Sequence, residues 1–96
     1  MKFEWDENKN KLNQQKHRVS FEEACYIFSD PFALSMFDPD HSENEDRFVM
    51  LGKSRNEYIL VVIHTYREND NEEVVRIISA RKATKKEKST YTKRCR

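Results

Sequence analysis

Residues 76–87, RIISARKATKKE, change character halfway along and decide how the chain is organised. The first half continues an apolar, β-branched run that is typical of a strand over residues 73–80. The second half contains Thr84 and Glu87 at the spacing of a capping box, in which each side chain accepts a backbone N–H at the start of a helix. We therefore predict a strand that leads directly into a helix over residues 84–93.

Two helices are predicted ahead of the strands. Asp6 can cap a helix over residues 7–16, in which Leu12 is the only apolar residue. Ser20 and Glu23 form another capping box, and apolar residues then recur at i, i+3, i+4 and i+7, which predicts a helix over residues 20–29. This helix should end before Pro31, because proline disfavours a helical conformation for the residue that precedes it.

The remaining apolar runs predict three further strands, over residues 32–37, 47–53 and 58–66. Short polar loops link the strands and leave no room for crossover helices, so an antiparallel sheet is expected. The predicted fold class is α+β, with two N-terminal helices, a four-stranded antiparallel sheet and a C-terminal helix. A chain of 96 residues is expected to form a single domain, residues 1–96.

The net charge of +1 hides a strong polarisation along the chain. Acidic residues concentrate in residues 38–46 and 68–73, whereas Glu87 is the single acid from Arg81 onward. The cations of this last segment are Arg81, Lys82, Lys85, Lys86, Lys88, Lys93, Arg94 and Arg96. Such a basic end suits a polyanionic partner, which makes nucleic acid a candidate.

Several other classes of protein are not indicated. Cys25 and Cys95 lie in a predicted helix and near the end of the sequence, which favours reduced thiols over a disulfide framework. No zinc spacing, calcium loop or glycine-rich phosphate loop is present, so neither a metal nor another cofactor is expected. Without an apolar leader or membrane-spanning stretch, a cytoplasmic protein with no membrane partner is expected.

Arg76 and Arg81 are the most informative candidates for a functional site. Strict alternation along the strand would place them on opposite faces of the sheet. An arginine among aliphatic residues is unfavourable unless its charge is paired. Arg76 therefore either meets a carboxylate, such as Glu45 or Glu22, or faces an open groove where an anion binds, and periodicity leaves both readings open.

Each of the other candidates has a functional and a structural interpretation. His17 can exchange protons near neutral pH, or it can cap the last carbonyls of the first helix. Arg47 and Arg67, at strand ends, can hold a phosphate or can be ordinary solvated side chains. Tyr91 can contact a base or a phosphate, or it can dock the last helix to the core.

A specific combination of motifs runs through most of the chain. It consists of Trp5-Asp6, Lys9, Asn13, Lys16-His17, Val19-Ser20-Phe21, Glu23-Ala24, Phe28, Asp30-Pro31, Glu45, Arg47, Gly52, Arg76-Ile77-Ile78-Ser79-Ala80-Arg81, Ala83, Glu87 and Tyr91. This combination resembles the BrnT family of toxins from bacterial type II toxin–antitoxin systems. Arg18 departs from the pattern, since the family usually has glycine after the Lys-His pair.

The resemblance implies a compact ribonuclease with a RelE-like fold, which cuts RNA and inhibits translation. It also implies a BrnA-like ribbon-helix-helix antitoxin, with operator DNA bound only through the toxin–antitoxin complex. We hypothesise metal-independent RNA cleavage, and the alternative is a non-catalytic module that binds nucleic acid or a protein partner. The candidate catalytic residues are His17, Glu45, Arg67, Arg76 and Tyr91, and the candidate RNA-binding residues are Lys16, Arg47, Arg81, Lys82 and Lys85.

Overall fold

A five-stranded mixed sheet forms the centre of the fold in the computed structural model, which describes residues 1–95. The strands are β1 (Lys2–Glu4), β2 (Leu34–Phe37), β3 (Arg47–Lys53), β4 (Ile59–Asn69) and β5 (Glu72–Lys82). They lie in the order β1-β5-β4-β3-β2, and β1 runs parallel to β5 whereas the other neighbours are antiparallel. The predicted α+β class is confirmed, but the four-stranded antiparallel sheet is wrong, because the short strand β1 adds a parallel edge.

Three helices surround the sheet. Helix α1 (Glu7–His17) begins at Asp6, whose carboxylate accepts the N–H groups of Asn8 and Lys9. Helix α2 (Phe21–Cys25) continues into a 3₁₀ turn (Tyr26–Ser29), so the single helix expected over residues 20–29 is divided. Aromatic and β-branched residues of low helix propensity, followed by Pro31, explain why the α-helix ends early. Helix α3 (Lys85–Arg94) begins with the predicted capping box. A second 3₁₀ turn (Pro39–His41) lies between β2 and β3.

The two faces of the sheet are covered to different extents. On one face, α2 and the 3₁₀ turn that follows it cover the main core. This core contains Val19, Phe21, Ala24, Ile27, Leu60, Val62, Val75, Ile77 and Ala80. On the other face, α3 contributes Tyr91 to a smaller cluster with Leu51, Val61 and Ala83. Beyond this cluster the second face is only partly covered, because Arg47, Arg76 and Ser79 are half-buried there, whereas Thr65 is buried.

Helix α1 is held by buried asparagines. Asn10 is 0% exposed and joins α1 to α2: its side-chain oxygen accepts the N–H of Phe21, and its nitrogen donates to Glu22. Asn13 is 9% exposed and bonds to both the N–H and the C=O of Ala80, so its amide pairs with the edge of β5 as a neighbouring strand would. In contrast, Leu12 is 63% exposed. The single apolar residue of α1 thus lies mostly in solvent.

A β-bulge in β5 changes the direction of its side chains. Ala80 pairs with Val62 and Ser79 with Ile63, but the next residue of β4, His64, pairs with Ile77, so Ile78 is an extra residue. Ile77 and Ala80 therefore share the main core face, and Arg76 and Arg81 share the opposite face. The expectation that each face carries one of these arginines is wrong. Within the described residues, no helix has the length and apolar character needed to cross a membrane.

Candidate functional site

The open part of the second sheet face carries a row of polar side chains from four strands. In register, Glu4 pairs with Arg76, Arg76 with Thr65, and Thr65 with Arg47. We call Arg47, Thr65 and Arg76 the arginine row. Neighbouring strands are about 4.8 Å apart, so the backbones of the two arginines are roughly 10 Å apart. Thr65, between them, is 3% exposed and donates its hydroxyl hydrogen to the carbonyl of Asp46 at 2.6 Å, so the charge on this face comes from the two half-buried arginines.

Glu4 is the carboxylate that pairs with Arg76. Arg76 Nη1 donates to Glu4 Oε2 at 2.5 Å, and Arg67 Nη1 lies 3.4 Å from the same oxygen. The partners considered from the sequence are engaged elsewhere, because Glu22 binds Asn10 and Glu45 lies 3.7 Å from the Arg47 side chain. One carboxylate between two guanidinium groups leaves a net positive charge at this end of the face, which favours an anionic ligand.

Two clefts lie beside the arginine row and share Ile78 and Ser79 as a common floor. The first has a volume of about 220 Å³ and is lined by Lys9, Leu12, Asn13, Lys16, His17, Ile78 and Ser79. The second has a volume of about 160 Å³ and is lined by Asp38, His41, Arg47, Ile63, Ile78 and Ser79. Because they share this floor, we describe both clefts together as the groove. It runs from α1, over the bulge of β5, to the loop that precedes β3.

The groove and the arginine row bring together several of the predicted site residues. Lys16 and His17 lie on the α1 wall, and Arg47 lies on the opposite wall. His17 makes no side-chain hydrogen bond within residues 1–95, so it does not cap α1 through its carbonyls as the alternative interpretation required. Glu45 lies beside Arg47 in an adjoining cleft of about 410 Å³. Arg67 and Arg76 meet at Glu4 on β1, which is two strands away from Thr65 on β4.

Tyr91 lies away from the groove. Its side chain is 4% exposed, packs between α3 and the sheet, and donates its hydroxyl hydrogen to Asp30 Oδ2 at 2.5 Å. Burial and the hydrogen bond to Asp30 raise the pKa of Tyr91. Burial alone raises the pKa of Asp30, but hydrogen bonds from Tyr91 and from the backbone N–H groups of Lys53 and Phe32 bring it below its usual value. These contacts match the interpretation in which Tyr91 docks the last helix.

Three of the predicted RNA-binding residues lie at or near the base of α3. Arg81 forms a two-point hydrogen bond with Glu87, at 2.8 and 2.9 Å, and this lowers the pKa of Glu87 to about 2. Lys82 Nζ lies 4.2 Å from the centre of the Tyr58 ring, and Lys85 is exposed at the first turn of the helix. The basic surface is thus separate from the arginine row. Arg96, which was counted in the basic segment, lies outside the described residues.

Ser79, Asn13 and His41 line the groove but were absent from the predicted site. Ser79 reaches the open face because of the bulge at Ile78. The sequence pattern of an apolar strand does not indicate where such a bulge occurs. Asn13 resembles a solvated polar residue of a helix in the sequence. His41 belongs to the acidic segment and binds Asp38, three residues earlier. The Asp38-x-x-His41 spacing around Pro39 was the available signal for this pair. Within residues 1–95, no three His, Cys, Asp or Glu side chains are grouped to hold a metal ion.

Comparisons with known proteins point to one family. A family model described as the ribonuclease toxin BrnT of the type II toxin–antitoxin system matches residues 5–87. The fold is similar to a crystal structure of the Brucella abortus ribonuclease toxin BrnT, with a TM-score of 0.61 and 26% sequence identity. The match covers 88% of this chain and 99% of that chain. No curated protein matches the sequence.

Proposed function

Because this chain belongs to the BrnT family, the ribonuclease toxins of type II toxin–antitoxin systems, we propose that its groove and arginine row are where RNA is cleaved. The chain is an endoribonuclease with RNA as its substrate and an antitoxin as its partner. The proposal concerns which residues carry out this activity, within a single toxin domain of residues 1–96. It rests on one observation above all, the arginine row on an open sheet face.

The cations are arranged to bind an RNA strand along its phosphates. Lys16 and Arg47 line opposite walls of the groove, and the exposed Lys82 and Lys85 form a second positive surface at the base of α3. Arg81, held by Glu87, completes this set. Neutralising successive phosphates would make binding depend strongly on salt concentration.

The cleavage reaction can proceed with the RNA's own ribose as the nucleophile. The 2′-oxygen attacks the adjacent phosphorus, the P–O5′ bond breaks, and the products carry a 2′,3′-cyclic phosphate and a 5′-hydroxyl. The 2′-hydroxyl proton passes to a base, and the leaving 5′-oxygen takes a proton from an acid. Arg76 and Arg67 stabilise the negative charge that develops on the phosphorane oxygens. The sequence proposes His17 or Glu45 as the base and Tyr91 or His17 as the acid; of these, Tyr91 is 4% exposed and donates its hydroxyl hydrogen to Asp30.

The partner that neutralises this activity is proposed to be a BrnA-like antitoxin with a ribbon-helix-helix part. In this proposal, operator DNA is bound by that part, and the toxin joins the DNA only through the complex. Cleavage of messenger RNA by the free toxin then inhibits translation. The exposed cations beside the groove are compatible with an acidic antitoxin segment that competes with RNA for the same surface.

The direct test is incubation of the purified protein with a defined RNA in EDTA, with and without ribosomes, followed by analysis of the product ends. The proposal predicts fragments with 2′,3′-cyclic phosphate and 5′-hydroxyl ends. Intact RNA under both conditions, together with salt-sensitive RNA binding, would instead support a non-catalytic binding module.

A further inference from the structure

We propose that His41 is the general base of RNA cleavage and that Asp38 positions it. This inference rests on the proposed function, because it assigns the proton acceptor of that reaction to a residue that the sequence did not indicate. The 3₁₀ turn Pro39–His41 places the pair at the rim of the groove. The acidic segment of residues 38–46 would then have a role in chemistry.

The Asp38–His41 pair has the geometry of an oriented histidine. His41 Nδ1 lies 2.8 Å from Asp38 Oδ2, and the imidazole is 68% exposed whereas the Asp38 side chain is 15% exposed. A carboxylate only accepts, so Nδ1 of a neutral His41 carries the proton and Nε2 keeps its lone pair. The second carboxylate oxygen accepts the N–H of Asp40 at 3.2 Å. Asp38 is therefore fixed, and Nε2 is the free basic atom.

The loop that carries the pair is tied directly to Arg47. The backbone N–H of Asp38 donates to the carbonyl of Arg47 at 2.8 Å. Ser42 Oγ accepts the N–H of Arg47 at 2.9 Å and donates to the carbonyl of Asp38. As a result, His41 and a cation of the arginine row are held by one hydrogen-bonded unit. Both residues also line the same two clefts, one with Ser79 and one with Glu45.

The rival proton acceptors are less well arranged. His17 has no side-chain partner within the described part of the chain to orient its ring, and Glu45 lies beside the Arg47 guanidinium. His64 is fully buried among aromatic rings, and burial lowers its pKa. The charged groups that face His41 are those of Asp38, Asp40, Glu43, Glu45 and Arg47.

In the proposed step, His41 Nε2 accepts the proton of the ribose 2′-hydroxyl while the O2′–P bond forms and the P–O5′ bond breaks. The electron pair of the broken bond leaves on the 5′-oxygen, which takes a proton from a separate acid or from water. Asp38 remains ionised and stabilises the imidazolium that forms. Arg47, on the same loop unit, lies beside the phosphate whose charge increases.

The test compares wild type with His41→Ala and Asp38→Asn in single-turnover RNA cleavage across a range of pH. His41→Ala should lower the cleavage rate on the order of 100-fold or more with little change in RNA affinity, and it should remove the loss of rate on the acidic side of the pH profile. Asp38→Asn should give a similar loss, because the asparagine amide donates to Nδ1 and leaves the proton on Nε2. Glu57→Gln, in the turn between β3 and β4, removes an exposed carboxylate charge away from the groove and should keep the wild-type rate.

Each outcome decides between the proposals. Wild-type rates and an unchanged pH profile for His41→Ala would overturn the role of His41, while the proposed function would stand. If wild type itself leaves RNA intact with and without ribosomes, the proposed function fails and this inference fails with it. Should Asp38→Asn lose its thermal transition, His41→Ala alone is decisive, because its side chain is mostly exposed and its removal leaves the core unchanged.

Discussion

Replacing Asn13 with alanine should destabilise the protein far more than removing the single apolar residue of α1. The Asn13 amide donates to the carbonyls of Val19 and Ala80, both at 2.8 Å, and accepts the N–H of Ala80 at 3.2 Å. Alanine would leave these backbone groups without partners at a buried site. Leu12, one position earlier, has most of its side chain in solvent.

The size of the effect follows from these contacts. A buried polar group that loses its partner costs about 1–3 kcal/mol. Water can reach part of the site once the side chain is shortened, so we take the low end for each of the three groups and expect a loss of about 3 kcal/mol. In a domain of this size, 1 kcal/mol changes Tm by about 4–8 °C, so Tm should fall by more than about 10 °C. Leu12→Ala should change the free energy of unfolding by less than about 0.5 kcal/mol.

Urea denaturation followed by circular dichroism measures both variants on one scale. Asn13→Asp is a useful third variant, because it keeps an acceptor for the N–H of Ala80 but loses both donors. The reasoning would be refuted if Leu12→Ala were as destabilising as Asn13→Ala, since α1 would then be held by apolar contact.

Three further predictions concern individual side chains. Glu87→Gln should lower the free energy of unfolding by about 1 kcal/mol at pH 7. This difference should shrink as the pH falls from the usual glutamate pKa of 4.5 towards about 2, because Arg81 lowers the pKa of Glu87 to that value. Thermal melts between pH 7 and pH 3 measure the difference, and a constant difference would contradict the assignment. At pH 8, iodoacetamide should modify the exposed Cys95 but not Cys25, because burial raises the pKa of Cys25 to about 11; intact mass should show one adduct before unfolding and two after it. Arg18→Gly should stabilise the fold by about 1 kcal/mol. Arg18, at the end of α1, has a φ of 59°, a left-handed backbone conformation that is unfavourable for residues with a side chain. Thermal melts measure the effect, and a lower Tm for the variant would contradict the prediction.

The fold class and the helix starts could be predicted because their signals are local. Asp6, Thr84 and Glu87 form the caps that their spacing indicated. The resemblance to BrnT toxins was equally accessible, since it depends on residue identities in order. The left-handed conformation of Arg18 also agrees with the glycine that the family usually has there.

The missed features depend on contacts between distant segments. Strand β1 has three residues, too few for a periodic pattern, and it forms only because β5 offers an edge. Its absence from the prediction also hid Glu4, the partner of Arg76. The bulge at Ile78 follows another apolar residue, Ile77, so the alternation of apolar and polar residues does not reveal it. The site residues could be proposed by type, but their arrangement around Ser79 required the structure.

The measurement that tests the central claim most directly is single-turnover RNA cleavage by Arg76→Ala and Arg55→Ala. Arg55 is an exposed arginine that binds Tyr26 at 3.1 Å, away from the groove, so the two variants lose the same charge from different places. If the arginine row stabilises the transition state, Arg76→Ala should retain its thermal transition and lose about 100-fold or more in rate, whereas Arg55→Ala should cleave as wild type does. Equal rates for folded Arg76→Ala and wild type would contradict the account, because RNA would then be cleaved without the arginine row.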